Sequence, residues 1–111
     1  MIIIESTIAP ETTEKICLEI ISKISKIPKS SINISFSPER INPGDKVMKI
    51  RNIAKVVSGN NLYSKKKVKK IYGKIIKKVV LANSIKSAEL AKLVENTQRD
   101  INISLMNEIM I

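Results

Sequence analysis

Ile32-Asn33-Ile34-Ser35-Phe36-Ser37-Pro38-Glu39-Arg40 is the stretch on which the fold reading turns. Ile32, Ile34 and Phe36 alternate with Asn33 and Ser35, the period-two pattern of a strand with one buried face. Ser37-Pro38 stops it, because proline has no N–H to give to a ladder. The Glu39-Arg40 pair then stands on a loop punctuated by Pro43-Gly44. Upstream, Ile2-Ile3-Ile4 is a β-branched run that predicts a buried strand, with Glu5-Ser6-Thr7 as its exit. Between these strands Ile16, Cys17, Ile20, Ile21 and Ile24 recur at helical spacing, with Pro10 near the start and Glu11 and Glu14 in the first turn. Pro28 and Ser30-Ser31 end that helix.

Downstream, Lys55-Val56-Val57-Ser58-Gly59 predicts a third strand, closed by Gly59-Asn60. Ser64 reads as the N-cap of a helix carrying Val68, Ile71, Tyr72, Ile75, Ile76 and Val79 on one stripe, with lysines opposite. Val79-Val80-Leu81 reads either as a short fourth strand or as a continuation of that helix. Ser84 opens a final helix with no stop signal after it. Strands interleaved with helices predict an α/β layer fold. In open α/β sheets ligands bind beyond the carboxyl ends of the strands. Glu5-Ser6-Thr7 and Ser37-Pro38-Glu39-Arg40 both occupy such ends, before any family is invoked.

Composition narrows the options. The chain has 111 residues, 43% of them hydrophobic but only 3% aromatic, so its core is built from Ile, Leu and Val. Net charge is +10, and eight lysines fall between Lys65 and Lys78. The opening Met-Ile-Ile-Ile run is too short for a signal peptide, and no apolar stretch approaches the ~20 residues that span a bilayer. One cysteine makes no internal disulfide, and the absence of histidine leaves few soft metal ligands. These features predict a cytoplasmic, metal-free protein. Cys17, set among Ile16, Ile20 and Ile21, reads as a small core residue rather than a nucleophile.

Two blocks carry the chemistry. One is Ser37 through Asp45. The other is Ala88-Glu89-Leu90-Ala91-Lys92-Leu93-Val94-Glu95-Asn96-Thr97-Gln98-Arg99-Asp100, in which Lys92, Asn96 and Arg99 at i, i+4 and i+7 line one helix face. Alone, that face reads as solvated and Glu39-Arg40 as a surface turn. With Glu5-Ser6-Thr7-Ile8-Ala9-Pro10, Thr12-Thr13-Glu14 and Lys55 through Gly59, in the same order and with similar gaps, the blocks resemble the UDP-glucose/GDP-mannose (nucleotide-sugar) dehydrogenase family. The wording is closest to the UDP-N-acetylhexosamine 6-dehydrogenase branch, and the likeness covers essentially the whole chain.

The resemblance implies an NAD-dependent oxidation of a sugar C6 alcohol to the carboxylate, in two steps, the second through a thiohemiacetal on a cysteine. It implies that residues 1–83 are the second half of a Rossmann-like NAD-binding domain and residues 84–111 the start of a long central dimerisation helix. By the same likeness Lys92 assists proton transfer at the reacting sugar, and Asn96 binds substrate or an ordered water. Arg99, with Glu39, Arg40 and Ile41, binds the UDP-sugar, and Thr7 meets the nicotinamide end of NAD. The family's G-x-G-x-x-G turn and its catalytic cysteine align outside Met1–Ile111, so the expectation is a fragment inactive alone. Partners implied are the UDP-sugar and either a second copy, through helix 84–111, or complementing polypeptides. Glu11 departs from the family, which commonly has glycine after the proline, and Met48 stands where this branch often has histidine.

The rival reading is a non-catalytic basic module that uses the Lys65–Lys78 helix on nucleic acid or anionic surfaces. Without interleaved aromatics or a nucleic-acid motif, no specific nucleic acid and no membrane is the expectation.

Overall fold

The computed structural model describes residues 1–39 and 52–111. Strand β1 (Ile2–Ile4) leads through a turn into a π-helical segment, Thr12–Cys17, that runs directly into helix α1 (Leu18–Ser25). A 3₁₀ turn at Lys29–Ser31 precedes β2 (Ile34–Phe36). Then follow β3 (Lys55–Gly59), α2 (Leu62–Gly73), β4 (Val79–Leu81) and α3 (Ile85–Met110). The four strands form one sheet in the order β1-β2-β3-β4. β1 runs parallel to β2, β3 antiparallel to β2, and β4 parallel to β3. The carboxyl ends of β1 and β2 therefore share an edge with the starts of β3 and β4.

The strand period sorts the side chains. Ile34 and Phe36 face α1 and α3, where they join Leu18, Ile32, Ile85 and Ala88 in the main core. Phe36 is fully buried, which contributes about 2–3 kcal/mol. Cys17 packs against this cluster, half-buried, as a small apolar group. Val57 points the other way, toward α2, where Val68 is also fully buried. Ser58 and Ser37 donate from their hydroxyls to the carbonyls of Phe36 (2.9 Å) and Val56 (2.7 Å), pinning β2 to β3.

At the far end, Asn60 accepts from the Ile34 N–H and donates to the Ile32 carbonyl, extending the pairing past the strands. Asn61 caps α2 by accepting from the Ser64 N–H at 2.8 Å. Gly59 lies where α2 crosses the strand, and a Cβ there would sit 2.7 Å from the Lys65 nitrogen.

Three expectations change. The helix after β3 begins at Leu62, not after Ser64, because Asn61 wins the capping competition and Ser64 turns inward. Its stripe is also shorter than the pattern predicts: α2 stops at Gly73, and Ile71 and Ile75 stay exposed. Ile2-Ile3-Ile4 is an edge strand rather than a buried one, with Ile2 exposed and Ile3 and Ile4 half-buried. Val79–Leu81 forms the fourth strand, and Ser84 caps α3 by accepting from the Ser87 N–H. Pro43-Gly44 and Met48 lie outside the described residues.

Candidate active site

Glu5 leaves β1 on the α2 side of the sheet. Its carboxylate accepts from Lys55 Nζ at 2.9 Å and from the Tyr72 hydroxyl. Lys55 opens β3 directly across this edge, and its side chain is only 9% exposed. A buried ammonium needs partners. Besides Glu5 it has the Pro38 carbonyl at 3.4 Å and the face of the Tyr72 ring, 5.1 Å to the centroid. One lysine thus ties the exit of β1 to the exit of β2.

The electrostatics follow from this geometry. Burial raises the Glu5 carboxyl pKa, but the hydrogen bonds from Tyr72 and Lys55, with the lysine charge, outweigh it and leave it below the usual value. Tyr72 is pushed well above the ordinary phenol value by burial first, then by its hydrogen bond to the Glu5 carboxylate and by that charge. A contact with Ser37 pulls the other way, and the Glu39 charge adds to the rise. Tyr72 therefore stays a neutral donor to the Glu5 carboxylate.

A second tether runs along the other face. Glu89, on the second turn of α3, is fully buried. Its carboxylate accepts from the Glu11 N–H at 2.5 Å and the Thr13 N–H at 2.9 Å. Taking a carboxylate out of water costs several kcal/mol. Two charge-assisted bonds and the positive end of the Thr12–Cys17/α1 helix offset that cost. Glu11 itself sits in the left-handed region, φ 70°, the conformation that favours glycine. Its side chain reaches Lys15 (2.9 Å) and Lys86 (3.2 Å), which hold its carboxyl below the usual value.

These contacts fix where the candidate residues stand. Thr7 is exposed on the turn between Glu5 and Glu11, so both tethers flank it. Glu39 is exposed at the exit of β2, one residue after the carbonyl that Lys55 holds. Lys92 and Asn96 are half-buried on α3 just beyond Glu89. Arg99, a turn further, pairs with Glu95 at 3.6 Å. Arg40 and Ile41 lie outside the described residues. Lys55, Tyr72 and Glu89 are the residues that sequence reasoning missed, and with them the partners of Glu5. An ionisable group in a helical or strand flank reads as solvent-facing, and no local signal marks a partner 76 or 78 residues away, the separations across which Glu89 meets Thr13 and Glu11.

For a nicotinamide cofactor the fit is partial. Thr7 offers an exposed hydroxyl at a strand's carboxyl end, where such a ring is met. The three glycines, Gly44, Gly59 and Gly73, form no G-x-G-x-x-G turn for a pyrophosphate. No group of metal-ligating side chains occurs among the described residues, and none of their helices is long and apolar enough to cross a membrane.

Comparison with known proteins shows what the chain is similar to. The sequence model of the UDP-glucose/GDP-mannose dehydrogenase family, NAD binding domain, matches residues 1–76. The UDP-N-acetyl-D-glucosamine 6-dehydrogenase of Salmonella typhi is 42% identical, covering 100% of this chain and 27% of that enzyme. The UDP-N-acetyl-D-mannosamine dehydrogenase of Methanococcus aeolicus is 40% identical, covering 97% of this chain and 24% of its own length. A solved UDP-D-ManNAc dehydrogenase from Pyrococcus horikoshii superposes with a TM-score of 0.84 at 33% identity, over 96% of this chain and 25% of that one. The chain spans about a quarter of the length of the relatives it matches.

Proposed function

Because the chain belongs to the UDP-glucose/GDP-mannose dehydrogenase family through its NAD-binding domain, we propose that it is a segment of a cytoplasmic NAD-dependent UDP-N-acetylhexosamine 6-dehydrogenase, inactive by itself. The observation that carries this reading is the identity of 42% along the whole chain with an enzyme of that activity. The motif-bearing turns also stand at the carboxyl ends of β1 and β2, where an α/β sheet binds ligands.

In this reading residues 1–83 complete an NAD-binding domain and residues 84–111 begin the central helix. Bound NAD⁺ supplies the hydride acceptor for C6. Thr7 meets the nicotinamide end, and Glu39, Arg40, Ile41 and Arg99 hold the UDP-sugar. Lys92 faces the C6 oxygen, where its ammonium form stabilises negative charge as it develops or its neutral amine form takes the alcohol proton. Asn96, one turn on, holds the substrate or an ordered water. Lys55 and Glu89 do not touch substrate; they set the spacing between the turn bearing Thr7, the turn bearing Glu39 and the helix bearing Lys92. Leu90, Leu93, Val94, Ile101, Leu105 and Ile109 are exposed along α3, and a second copy covers them in a homodimer.

An NADH-production assay with UDP-N-acetylglucosamine tests the reading. The chain alone gives no turnover. Co-expression with polypeptides supplying the Gly-rich turn and the catalytic cysteine restores it, and Lys92→Ala then lowers kcat by about 10²-fold or more. A complemented complex indifferent to Lys92→Ala and Asn96→Ala overturns the assignment.

A further inference from the structure

Between Lys46 and Ala88 the chain has thirteen Lys and Arg residues and no Asp or Glu. Eight of them, all lysines, lie on α2 and the turn that follows it. Lys65 donates to the Asn83 carbonyl at 2.6 Å. The other seven are exposed, and among the described residues no carboxylate pairs with any of the eight. Elsewhere the pattern differs: Lys15, Lys23, Lys29 and Lys86 each have a glutamate partner. Among the described residues the excess charge is thus concentrated on one uncompensated face.

That face is not purely polar. Because α2 starts at Leu62, Leu62 and Tyr63 are part of the helix and stand 68% and 57% exposed at one end of it. Tyr63 shares its stripe with Lys66, Lys67 and Lys70, at i, i+3, i+4 and i+7. At the other end Ile75 is 56% exposed, and Ile71 and Ile75 floor a groove edged by Lys67, Lys70 and Lys74. Apolar side chains therefore protrude at both ends of a lysine field about 18 Å long.

We propose that this face of α2, with the turn leading to β4, docks the protein peripherally on a bilayer rich in anionic lipid. The lysines meet headgroup phosphates, and Leu62, Tyr63 and Ile75 enter the boundary between headgroups and acyl chains, where tyrosine is favoured. A nucleic acid fits less well. The eight cations are lysines, point charges without the bidentate fork that reads bases, and a phosphate backbone has no counterpart for Leu62 and Ile75. The proposal departs from the expectation of no membrane partner because the earlier start of α2 and the exposure of Ile75 put apolar anchors among the lysines. It concerns the surface opposite the α1/α3 packing and stands independently of the dehydrogenase reading.

Co-sedimentation of the chain with vesicles of phosphatidylglycerol and phosphatidylcholine, against phosphatidylcholine alone, tests it. Binding to the anionic vesicles is expected to be at least ~10-fold tighter. The triple variant Lys66→Glu/Lys67→Glu/Lys70→Glu loses at least ~10-fold of it, whereas Lys15→Glu/Lys23→Glu/Lys29→Glu, with the same charge change, retains most of it. Leu62→Ser/Tyr63→Ser weakens vesicle binding several-fold without changing affinity for single-stranded RNA. All these positions are exposed, and matched circular dichroism spectra establish that each variant folds as the parent does. Equal losses in the two triple variants would show a net-charge effect and overturn the proposal. So would RNA binding tighter than vesicle binding, or vesicle binding indifferent to Leu62→Ser/Tyr63→Ser.

Discussion

Glu89 and Glu5 are two carboxylates that hold the same edge of one sheet from opposite faces, by different means. Glu89 is sealed under α3 and receives only backbone N–H groups. Glu5 is half-open to solvent and is held by side chains, a lysine and a tyrosine. A buried carboxylate without a cation is tolerable only where the backbone has donors already aimed at it, and the first turn of the Thr12–Cys17/α1 helix supplies them. Glu5 keeps part of its hydration and so contributes less. The difference separates two jobs. Glu89 ties α3 to the turn at Glu11 and Thr13, whereas Glu5 and Lys55 adjust how the exits of β1 and β2 face each other.

Removing Glu89 is the harshest way to break the comparison. Glu89→Ala strands one buried and one partly buried N–H group and is expected to cost about 3–5 kcal/mol, a large share of a small domain's margin. Cooperative thermal unfolding should vanish. Glu89→Gln, which keeps the shape but turns an amide NH₂ toward one donor, should cost about 1–3 kcal/mol. Gly59→Ala ranks next and acts on the α2 side: its Cβ would meet backbone at 2.7 Å, so helix and strand must part, at about 1–3 kcal/mol by urea denaturation.

Lys55→Met sharpens the contrast. At neutral pH it should change stability by no more than about 1 kcal/mol, since Glu5 keeps part of its hydration. Its signature lies in acid. The folded Glu5 pKa is below the usual value of 4.5, so the stabilisation is fully present above 4.5 and is lost as pH falls through the folded value. Melting temperatures measured downward from pH ~5 should therefore fall less steeply in Lys55→Met than in the parent. The smallest effect has the opposite sign. Glu11→Gly releases a left-handed residue and forfeits two exposed ion pairs, for a net gain of about 0.5–1 kcal/mol in thermal unfolding.

Much of the layer order was legible because short-range patterns report it. The Ile32–Phe36 alternation, the Val-rich run after Lys55 and the cap at Ser84 each name an element from its own residues. The start of α2 was not, since Asn61 and Ser64 are both competent caps three residues apart. The choice between them rests on the partners of the inward-turned Ser64 hydroxyl, the neighbouring Asn60 and Asn33 from another part of the chain. The candidate site divides in the same way. Glu39, Lys92 and Asn96 came from contiguous wording, whereas Glu5, Lys55, Tyr72 and Glu89 become a set only when strands and helices bring them together. The departure at Glu11 did carry information: where the resemblance implies glycine, the backbone takes a conformation that favours glycine.

The π-helical opening of the helix, with the Leu18 N–H reaching back five residues to the Thr13 carbonyl, makes that turn one residue longer than an α-helical one. Thr13 and Leu18, the buried positions at its two ends, are therefore separated by a spare residue on the solvent side. Length variation has a natural home there. Deleting exposed Lys15 or Ile16 would let the turn tighten into regular α-helix while Thr13 still meets Glu89 and Leu18 still meets the sheet. The same deletion inside α1 would rotate every later side chain by about 100°. Among the described helices, that turn is where an evolving sequence can lose a residue without renegotiating the core.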